Sequence, residues 1–300
     1  MLDIAIVTED ACLLPDPNIK YNATAIAEDG FLMRAFTDKN ISCVRVAWED
    51  PHFDWASVKI ALIKTPWNYY QHIEAFKVWL YRTSQQCMVV NDKDLILWNL
   101  DKHYLFKLQK KGVDIPETHV LGKDSVFDPV EWHSRLGTQG MVVKPLVSAG
   151  AKDTYLFSLP WENADVMAVN AALQRQPMMV QPFISSIVIR GEISMVFIGG
   201  HFTHAVIKRP KDKDFRVQAY HGGTFEKYEA KPKEIDFGLQ VLRACEALQG
   251  SLPVYARIDL CYGAHGVLLL MELEVIEPEL WYSHSEKAVA LLINSIKNLL

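Results

Sequence analysis

The amino-acid sequence predicts a three-part chain of mixed α/β and α+β class, on three observations. Apolar strand candidates alternate with helical patterns through the first third of the chain, a compact run of short strands and helices follows, and a succession of antiparallel strands closes it. Alternation builds a parallel sheet covered by helices, whereas grouped strands and helices build α+β modules.

The first part opens on a buried strand at 4–7, followed by a helical pattern near 25–39 and the strand Cys43–Ala47. A strand at 60–63, a helix near 73–83 and the strand Met88–Val90 complete it. Thr65-Pro-Trp-Asn-Tyr-Tyr70 leaves the third strand at its carboxyl end, where open α/β sheets bind ligands. An ordinary cluster of loop aromatics is the competing reading. The second part begins at Asn99 with a helix at 101–111 ended by Gly112, then a strand at 115–120 and the helix Pro129–Leu136. A strand at 141–144 stops at Pro145, and the small-residue turn 147–153 leads into a strand at 154–157. The third part holds strands at 178–183, Glu192–Ile198, 201–207, 216–219, 255–261 and 267–275, with helices at 237–248 and 285–300 packed on their sheet. The expected boundaries are 1–95, 96–178 and 179–300.

The closing hairpin carries the chemistry. With His265-Gly266 as a two-residue loop, Ala264 faces Val267, Asp259 stands opposite Glu272, and Arg257 stands opposite Glu274. Alternation along strands puts all four on one face, with opposed residues roughly 5 Å apart. Leu260, Met271, Leu273 and Val275 take the other face. Three acids on one surface repel unless something positive sits among them, and Arg257 balances only part of that charge. Oxygen ligands without a clustered His or Cys suit hard Mg²⁺ or Mn²⁺. A solvated strand face laced with cross-strand ion pairs is the alternative.

Composition bounds the rest. The 300 residues are 50% hydrophobic and 22% charged, which describes a globular chain with real cores, and the net charge is −5. The densest basic stretch, 208–213, is too short to track a phosphate backbone, so nucleic acid is not an expected partner. The start 1–7 reads as a strand rather than a signal peptide, and the longest apolar run, 267–271, falls far short of the ~20 residues that cross a bilayer. No membrane association is expected. The five cysteines are odd in number and never in a Cys-x-x-Cys arrangement, which suits reduced thiols in a cytosol. A P-loop, a G-x-G-x-x-G turn, H-E-x-x-H and G-x-S-x-G are all absent from the sequence.

What remains resembles the ATP-grasp ligases, in their glutathione synthetase-like branch. The matching phrases, in order, are Trp98-Asn-Leu-Asp-Lys102, Val142-Val-Lys144-Pro, Val180-Gln181-Pro-Phe183, Arg190-Gly-Glu192 and Ala205-Val-Ile-Lys208-Arg209-Pro. Phe215-Arg216, Gly222-Gly223, Arg257-Ile-Asp259 and Glu272-Leu-Glu274-Val-Ile-Glu277-Pro278 continue them. The group that includes the D-cycloserine-forming ligase shares several of these phrases.

The resemblance implies an ATP-grasp fold: a Rossmann-like N-terminal α/β domain, then two α+β modules that clamp ATP. It implies that Lys102 and Lys144 reach the nucleotide phosphates, that Ser148 and Gly150 belong to a loop folded over them, and that Gln181, Pro182 and Phe183 form the adenine hinge. Because Pro182 has no N–H, the hinge donor is expected from Phe183. Glu192 would approach the ribose, and Asp259, Glu272 and Glu274 would hold Mg²⁺. Arg209, Arg216 and Arg257 are expected as catalytic cations; Gly222 and Gly223 would approach the reacting carbonyl or form a turn. Trp67, Tyr69 and Glu277 would shape the acceptor pocket, with Glu277 on a substrate amine. The implied activity is ATP-dependent carboxylate–amine ligation through an acyl phosphate, giving ADP and phosphate, on a small amino acid-like substrate. A ring closure of the D-cycloserine type is one form of it. A peptide- or protein-modifying amino acid ligase, a catalytically idle ATP-binding regulator, and an adenylate-forming enzyme are the competing readings. Related ligases are often homo-oligomers.

Overall fold

The computed structural model describes residues 1–212 and 214–300, with Tyr220 by its backbone alone. The last residue of the basic stretch, Lys213, lies outside the described residues. In the N-terminal part, β1 (Leu2–Thr8), β2 (Cys43–Ala47), β3 (Val58–Thr65) and β4 (Met88–Val90) form a parallel sheet in the order β2-β1-β3-β4. Both faces of β1 and β3 are covered, which is why these strands read as nearly continuous apolar runs. Ile4, Ile6, Ile60 and Leu62 pack against Leu32 and Phe36 of α1 (Asn22–Thr37). Ala5, Val7, Ala61 and Ile63 pack against Phe76 and Leu80 of α2 (Ile73–Ser84). The strand order reverses between β1 and β3, so the crevice beyond their carboxyl ends is the ligand-binding position of this topology. Thr65-Pro-Trp leaves β3 at that place. The short helices α3 (Lys93–Asn99), capped by the Asp92 carboxylate, and α4 (Tyr104–Gln109) then lead out of the domain.

The middle module consists of β5 (His119–Leu121), α5 (Pro129–Leu136), β6 (Gly140–Pro145), β7 (Tyr155–Ser158), α6 (Asn163–Leu173) and β8 (Met178–Pro182). Its antiparallel sheet has the order β5-β8-β6-β7. The expected bounds of α5 hold because its signals are local: Asp128 accepts from the Val130 N–H, Pro129 opens the helix, and Gly137 closes it at φ 58°. Two expectations change. Pro116 and its surroundings leave only His119–Leu121 as strand, and Met178–Pro182 pairs with both β5 and β6. Met178–Pro182 therefore lies in the middle sheet, although the sequence reading counts it with the strands of the third part. An apolar run of that length does not reveal which sheet it joins.

The C-terminal part contains α7 (Ser186–Arg190), β9 (Glu192–Ile198), β10 (His201–Arg209), β11 (Thr224–Tyr228), α8 (Pro232–Gln249), β12 (Tyr255–Tyr262), β13 (Leu268–Glu274) and α9 (Glu286–Lys297). The antiparallel sheet runs β11-β10-β9-β12-β13. Phe237 and Val241 of α8 cover Met195, Phe197 and Ile258 on one face. Leu292, Ile293 and Ile296 of α9 cover Val196, Ile198 and Val206 on the other, in a core continuous with that of β1 and α1. The strand expected at 216–219 does not form, because the Asp214 carboxylate accepts the Phe215 and Arg216 N–H groups at 2.8 and 3.0 Å and holds a turn there. Thr224–Tyr228 takes the sheet edge instead. No described helix is long and apolar enough to cross a membrane, and all five cysteines are free.

The hairpin delivers the expected register through a different turn. Arg257 pairs with Glu274 and Asp259 with Glu272, but the loop has three residues, 264–266, closed by a 2.8 Å bond from the Gly263 N–H to the Val267 carbonyl. Leu260 then pairs with Leu270, leaving Met271 as the extra residue of a bulge. The bulge restores the register at the acids and turns Met271 to the Glu272 side, where it lines the main cavity instead of sharing the face of Leu260.

His204 of β10, 5% exposed, sits with Nδ1 2.9 Å from Thr203 Oγ1 and Nε2 2.9 Å from the Leu280 carbonyl. Burial pulls its pKa from 6.5 down to about 4, against the bond to Leu280. The folded state thus favours the neutral ring: this contribution is complete above pH 6.5 and is lost as the pH falls toward 4. Over that window it amounts to roughly 3 kcal/mol at 1.36 kcal/mol per pH unit. Urea denaturation between pH 7 and 4 is expected to show a shallower loss of stability in His204→Gln than in the parent, by up to about one proton in slope.

Candidate functional site

A cavity of about 1070 Å³ opens where the three parts meet. At one end, Lys144 of β6 and Lys102 face Glu272 of β13. Lys102 Nζ lies 3.1 Å from Glu272 Oε1 and donates to the Ser148 carbonyl at 3.0 Å. Burial pulls the Lys144 pKa down against the attraction of Glu272, with Lys102 adding repulsion. Burial would raise Glu272, but Lys102 and Lys144 outweigh it and hold the carboxyl below its usual range. Two lysines focused on one acid make a cation-rich end suited to phosphate oxygens. Ser148 and Gly150 line it, in a loop with left-handed backbone at Gly150 (φ 62°), Ala151 (φ 54°) and Asp153 (φ 52°). Such conformations form concavities of N–H groups that bind anions.

Gln181, Pro182 and Phe183 also line the cavity, but the Phe183 N–H is committed to the Gly140 carbonyl at 2.8 Å. The expected hinge donor is therefore occupied, because β6 and β8 stay in register one residue beyond Pro182. Among the described residues the next N–H, that of Ile184, has no partner.

The acidic hairpin is paired with three cations. Asp259, 3% exposed, accepts from Ser194 Oγ at 2.6 Å, Lys208 Nζ at 2.9 Å, and Arg257 Nε and Nη2 at 3.0 and 2.9 Å. Burial opposes ionisation, yet Arg257 and Lys208 prevail and keep Asp259 well below the usual carboxylate range. Lys208 also meets Glu192 Oε1 at 2.7 Å. Burial pulls its pKa down, but Asp259 and Glu192 together raise it above that of a free lysine. Burial likewise raises Glu192 despite Lys208. Arg257 bonds Glu274, whose carboxyl is pushed up to about 8 by burial, against Arg257, with Asp259 and Glu272 adding repulsion.

No group of three His, Cys, Asp or Glu stands in a ready metal-binding arrangement among the described residues. Asp259, Glu272 and Glu274 nevertheless share one cavity wall as an all-oxygen set, a chemistry that fits hard Mg²⁺. Their charge is met here by Lys102, Lys208 and Arg257.

The resemblance gives a catalytic role to Arg209 and none to Lys208 beside it. Alternation on β10 puts Lys208 inward opposite Glu192 and turns Arg209 outward, where it pairs with Glu226. The usable signal was Glu192, whose strand partner is Lys208. Arg216 lines the cavity and bonds Asp214 at 3.0 Å. Gly222 and Gly223 do not line it: they fold the loop back, and a Cβ on Gly223 would meet the Val217 carbonyl at 2.2 Å. At the far end Trp67, Tyr69 and Glu277 line the cavity, with Trp67 Nε1 donating to the Glu277 carbonyl at 2.9 Å. Burial pushes the Glu277 carboxyl up to about 7, against its bond to Tyr69. Tyr21, Glu279 and Trp281 complete this end without any local sequence signal, since only the tertiary fold brings them there.

Residues 4–91 match the family described as D-cycloserine synthetase DcsG, N-terminal domain, and residues 111–253 match prokaryotic glutathione synthetase, ATP-grasp domain. Over 297 residues the chain is 29% identical to the cycloserine biosynthesis protein DcsG of Streptomyces lavendulae, with 94% of each chain covered. A crystal structure of D-cycloserine synthetase DcsG superposes with a TM-score of 0.85 at 24% identity over 99% of both chains. D-alanine–D-alanine ligase from Bacillus anthracis superposes at 0.66 and 14% identity, over 100% of this chain and 96% of that one.

Removing Lys208 would leave Glu192 and Asp259 buried without their shared cation. Lys208→Met is expected to lower the unfolding free energy by roughly 3–5 kcal/mol in chemical denaturation. Adding Glu192→Gln is expected to recover part of that loss.

Proposed function

The chain belongs to the ATP-grasp ligases and has their fold, and from that premise we propose that it joins a small amino acid-like carboxylate to a nitrogen nucleophile through an acyl phosphate. The observation that carries this reading is the convergence of Lys102, Lys144, Lys208 and Arg257 with Asp259, Glu272 and Glu274 on one wall of a single cavity. That wall can neutralise a triphosphate, and the volume beyond it suits a small substrate. The adenine would lie against Phe183 and take its backbone donor from Ile184. Lys102 and Lys144 would turn from Glu272 to the phosphates, while the 148–153 loop covers them.

Mg²⁺ held by Asp259, Glu272 and Glu274 would supply charge neutralisation at the β- and γ-phosphate oxygens. A substrate carboxylate oxygen attacks the γ-phosphorus, and the bond to the β,γ-bridging oxygen breaks with its electron pair leaving on ADP. Arg257 and Arg216 orient the carboxylate and balance the charge of the transferring group. The nitrogen lone pair then attacks the acyl carbon. The carbon–oxygen bond to phosphate breaks toward phosphate, which also takes the proton lost by nitrogen. Exclusion of water matters because the acyl phosphate hydrolyses readily. Coverage of the cycloserine biosynthesis relative over 94% of both chains supports a ring closure in which carboxylate and nitrogen belong to one molecule.

Nucleotide chromatography across amino acids, ureido-amino acids and dipeptides with Mg²⁺ is expected to give substrate-dependent ADP and phosphate. Glu272→Gln is expected to lower turnover by at least about a hundredfold. Formation of AMP instead of ADP would overturn the acyl-phosphate reading.

A further inference from the structure

β3 carries a lysine where its neighbours are apolar. Lys64 is fully buried, between Ile63 and Thr65 on a central strand of the N-terminal sheet. Its Nζ donates to the Pro278 carbonyl at 3.3 Å and stands 5.0 and 5.2 Å from the ring centres of Tyr255 and Tyr282. Burial pulls its pKa down, against the attraction of Glu28 and Asp29. A buried charge is costly, and an apolar residue of similar length would remove the cost, so stability alone does not account for Lys64. What it reaches does.

Two side chains of the N-terminal domain bracket Glu279, beyond the acidic hairpin. Lys64 takes the carbonyl of Pro278, and Glu28 of α1 accepts the Leu280 N–H on Oε1 at 2.7 Å. The first bond holds the peptide plane before Glu279 and the second the plane after it, and the backbone between two planes has only φ and ψ to turn. The carbonyl of that second plane, Glu279's own, accepts from Arg257 Nη1 at 3.3 Å. Trp281, two residues on, stands 5.3 Å from the Arg257 guanidinium at φ 44°, a conformation a bulky residue keeps only where its surroundings impose it. Arg257 therefore rests against a backbone that Lys64 and Glu28 hold. Its remaining partners are Asp259 and Glu274, two of the acids that would hold Mg²⁺. The Glu279 carbonyl and the indole are the contacts that a metal ion would not compete for.

We propose that Lys64 and Glu28 are positioning residues: through the peptides on either side of Glu279 they hold Arg257 in the pose that orients the reacting carboxylate once Asp259 and Glu274 turn to Mg²⁺. The inference rests on the ligase reading and adds to it two residues of the N-terminal domain, neither of which lines the cavity. They touch no substrate and act only through the backbone that Arg257 leans on. A guanidinium displaced by about 1 Å still binds its carboxylate, but the misalignment can cost about a hundredfold in rate. The effect of the pair therefore falls on turnover, whereas nucleotide binding depends on Lys102, Lys144 and the hinge at the other end.

The test compares the full chain with Lys64→Met and with the double variant Lys64→Met, Glu28→Gln. The double variant leaves no lone charge from the pair and keeps an acceptor for the Leu280 N–H, so it guards against a fold lost to an unpaired acid. The readouts are amide hydrogen exchange of the peptide covering 276–284, phenylglyoxal modification of Arg257 mapped by mass spectrometry with Mg²⁺ and a non-hydrolysable ATP analogue bound, and ADP formation on the carboxylate giving most turnover. In the double variant, exchange at 276–284 and modification of Arg257 are both expected to accelerate at least about tenfold, with exchange in β1 and β9 unchanged. The kcat is expected to fall at least about tenfold while the KM for ATP stays within about threefold. Unchanged exchange at 276–284, unchanged modification of Arg257, or a kcat within about twofold of the parent's would overturn the proposal. Acceleration spread evenly through the chain, or failure of both variants to fold, would overturn it too, by making the pair merely structural. A failed ligase reading would appear separately, as no ADP from the parent with any carboxylate while the local acceleration at 276–284 and Arg257 remains.

Discussion

Asp259, Arg257 and Lys208 form the interaction on which the site depends. Burying a carboxylate is costly unless it is paired and its lone pairs are filled, and Asp259 is filled by a hydroxyl, an ammonium and two guanidinium N–H groups. Each donor comes from a defined place: Ser194 from β9, Lys208 from β10, and Arg257 two residues back on β12 itself. The acid thus ties three neighbouring strands together at the cavity wall. Replacing such a network with apolar side chains of similar volume is often neutral or stabilising, so stability alone does not account for it. Its value lies in gathering mobile-ended cations around fixed acids. Under the proposed function a triphosphate would draw the lysines toward itself and leave the acids free to hold a metal ion.

The hairpin shows how tightly that wall is specified. Its loop carries one residue more than a two-residue turn would, which by itself would shift every pairing and rotate the acids off the site. The bulge at Met271 takes up the extra residue before the acids are reached, so Asp259 and Glu272 remain opposed. The same bulge moves a thioether to the cavity wall, where it lies 3.3 Å from Cys261 Sγ. A polarizable apolar surface next to the lysines suits the flat face of a nucleotide better than a charged one would.

What was legible in the sequence was what local physics decides. Buried parallel strands announce themselves as apolar runs, α5 carries its own caps, and the alternation of Arg257, Asp259, Glu272 and Glu274 declares a shared face whatever the turn. Apart from the strand expected at 216–219 and the shortened β5, the differences concern partners more than element types. Choosing between Lys208 and Arg209 requires knowing which side of β10 faces β9's acid, a parity that one misplaced residue reverses. The Phe183 N–H has no acceptor in its own neighbourhood of the sequence, because the Gly140 carbonyl that takes it lies on a strand far away in the chain. Met178–Pro182 joined the wrong sheet for the same reason. Helix α6, with its alanine-rich sequence and few buried residues, has no strong apolar stripe to reveal it. The hold on the backbone of residues 276–280 has no sequence signal, since Lys64, Trp67, His204, Tyr255 and Arg257, which supply it, are all distant in the chain.

The hydrogen bonds that hold the backbone of residues 276–280, beyond the acidic hairpin, come from the N-terminal domain, through Glu28, Lys64 and Trp67, and from the C-terminal sheet, through His204, Tyr255 and Arg257. None of these comes from the middle module, whose contacts with the rest include Leu146 and Met179 in the C-terminal core, Ala149 against the N-terminal core, and Lys102, bonded to the Leu146 and Ser148 carbonyls. Lys102 is itself one of the cations that a nucleotide would redirect. The end of the cavity lined by Trp67 and Glu277 is thus held by the fold itself, whereas the 148–153 loop is held by the bond from Lys102 to the Ser148 carbonyl, which under the proposed function ATP would compete for. In the proposed function an acyl phosphate would need shelter from water, and this division would suit it: one end of the cavity is fixed by buried hydrogen bonds, while the loop at the other is held by a lysine that the nucleotide would draw away.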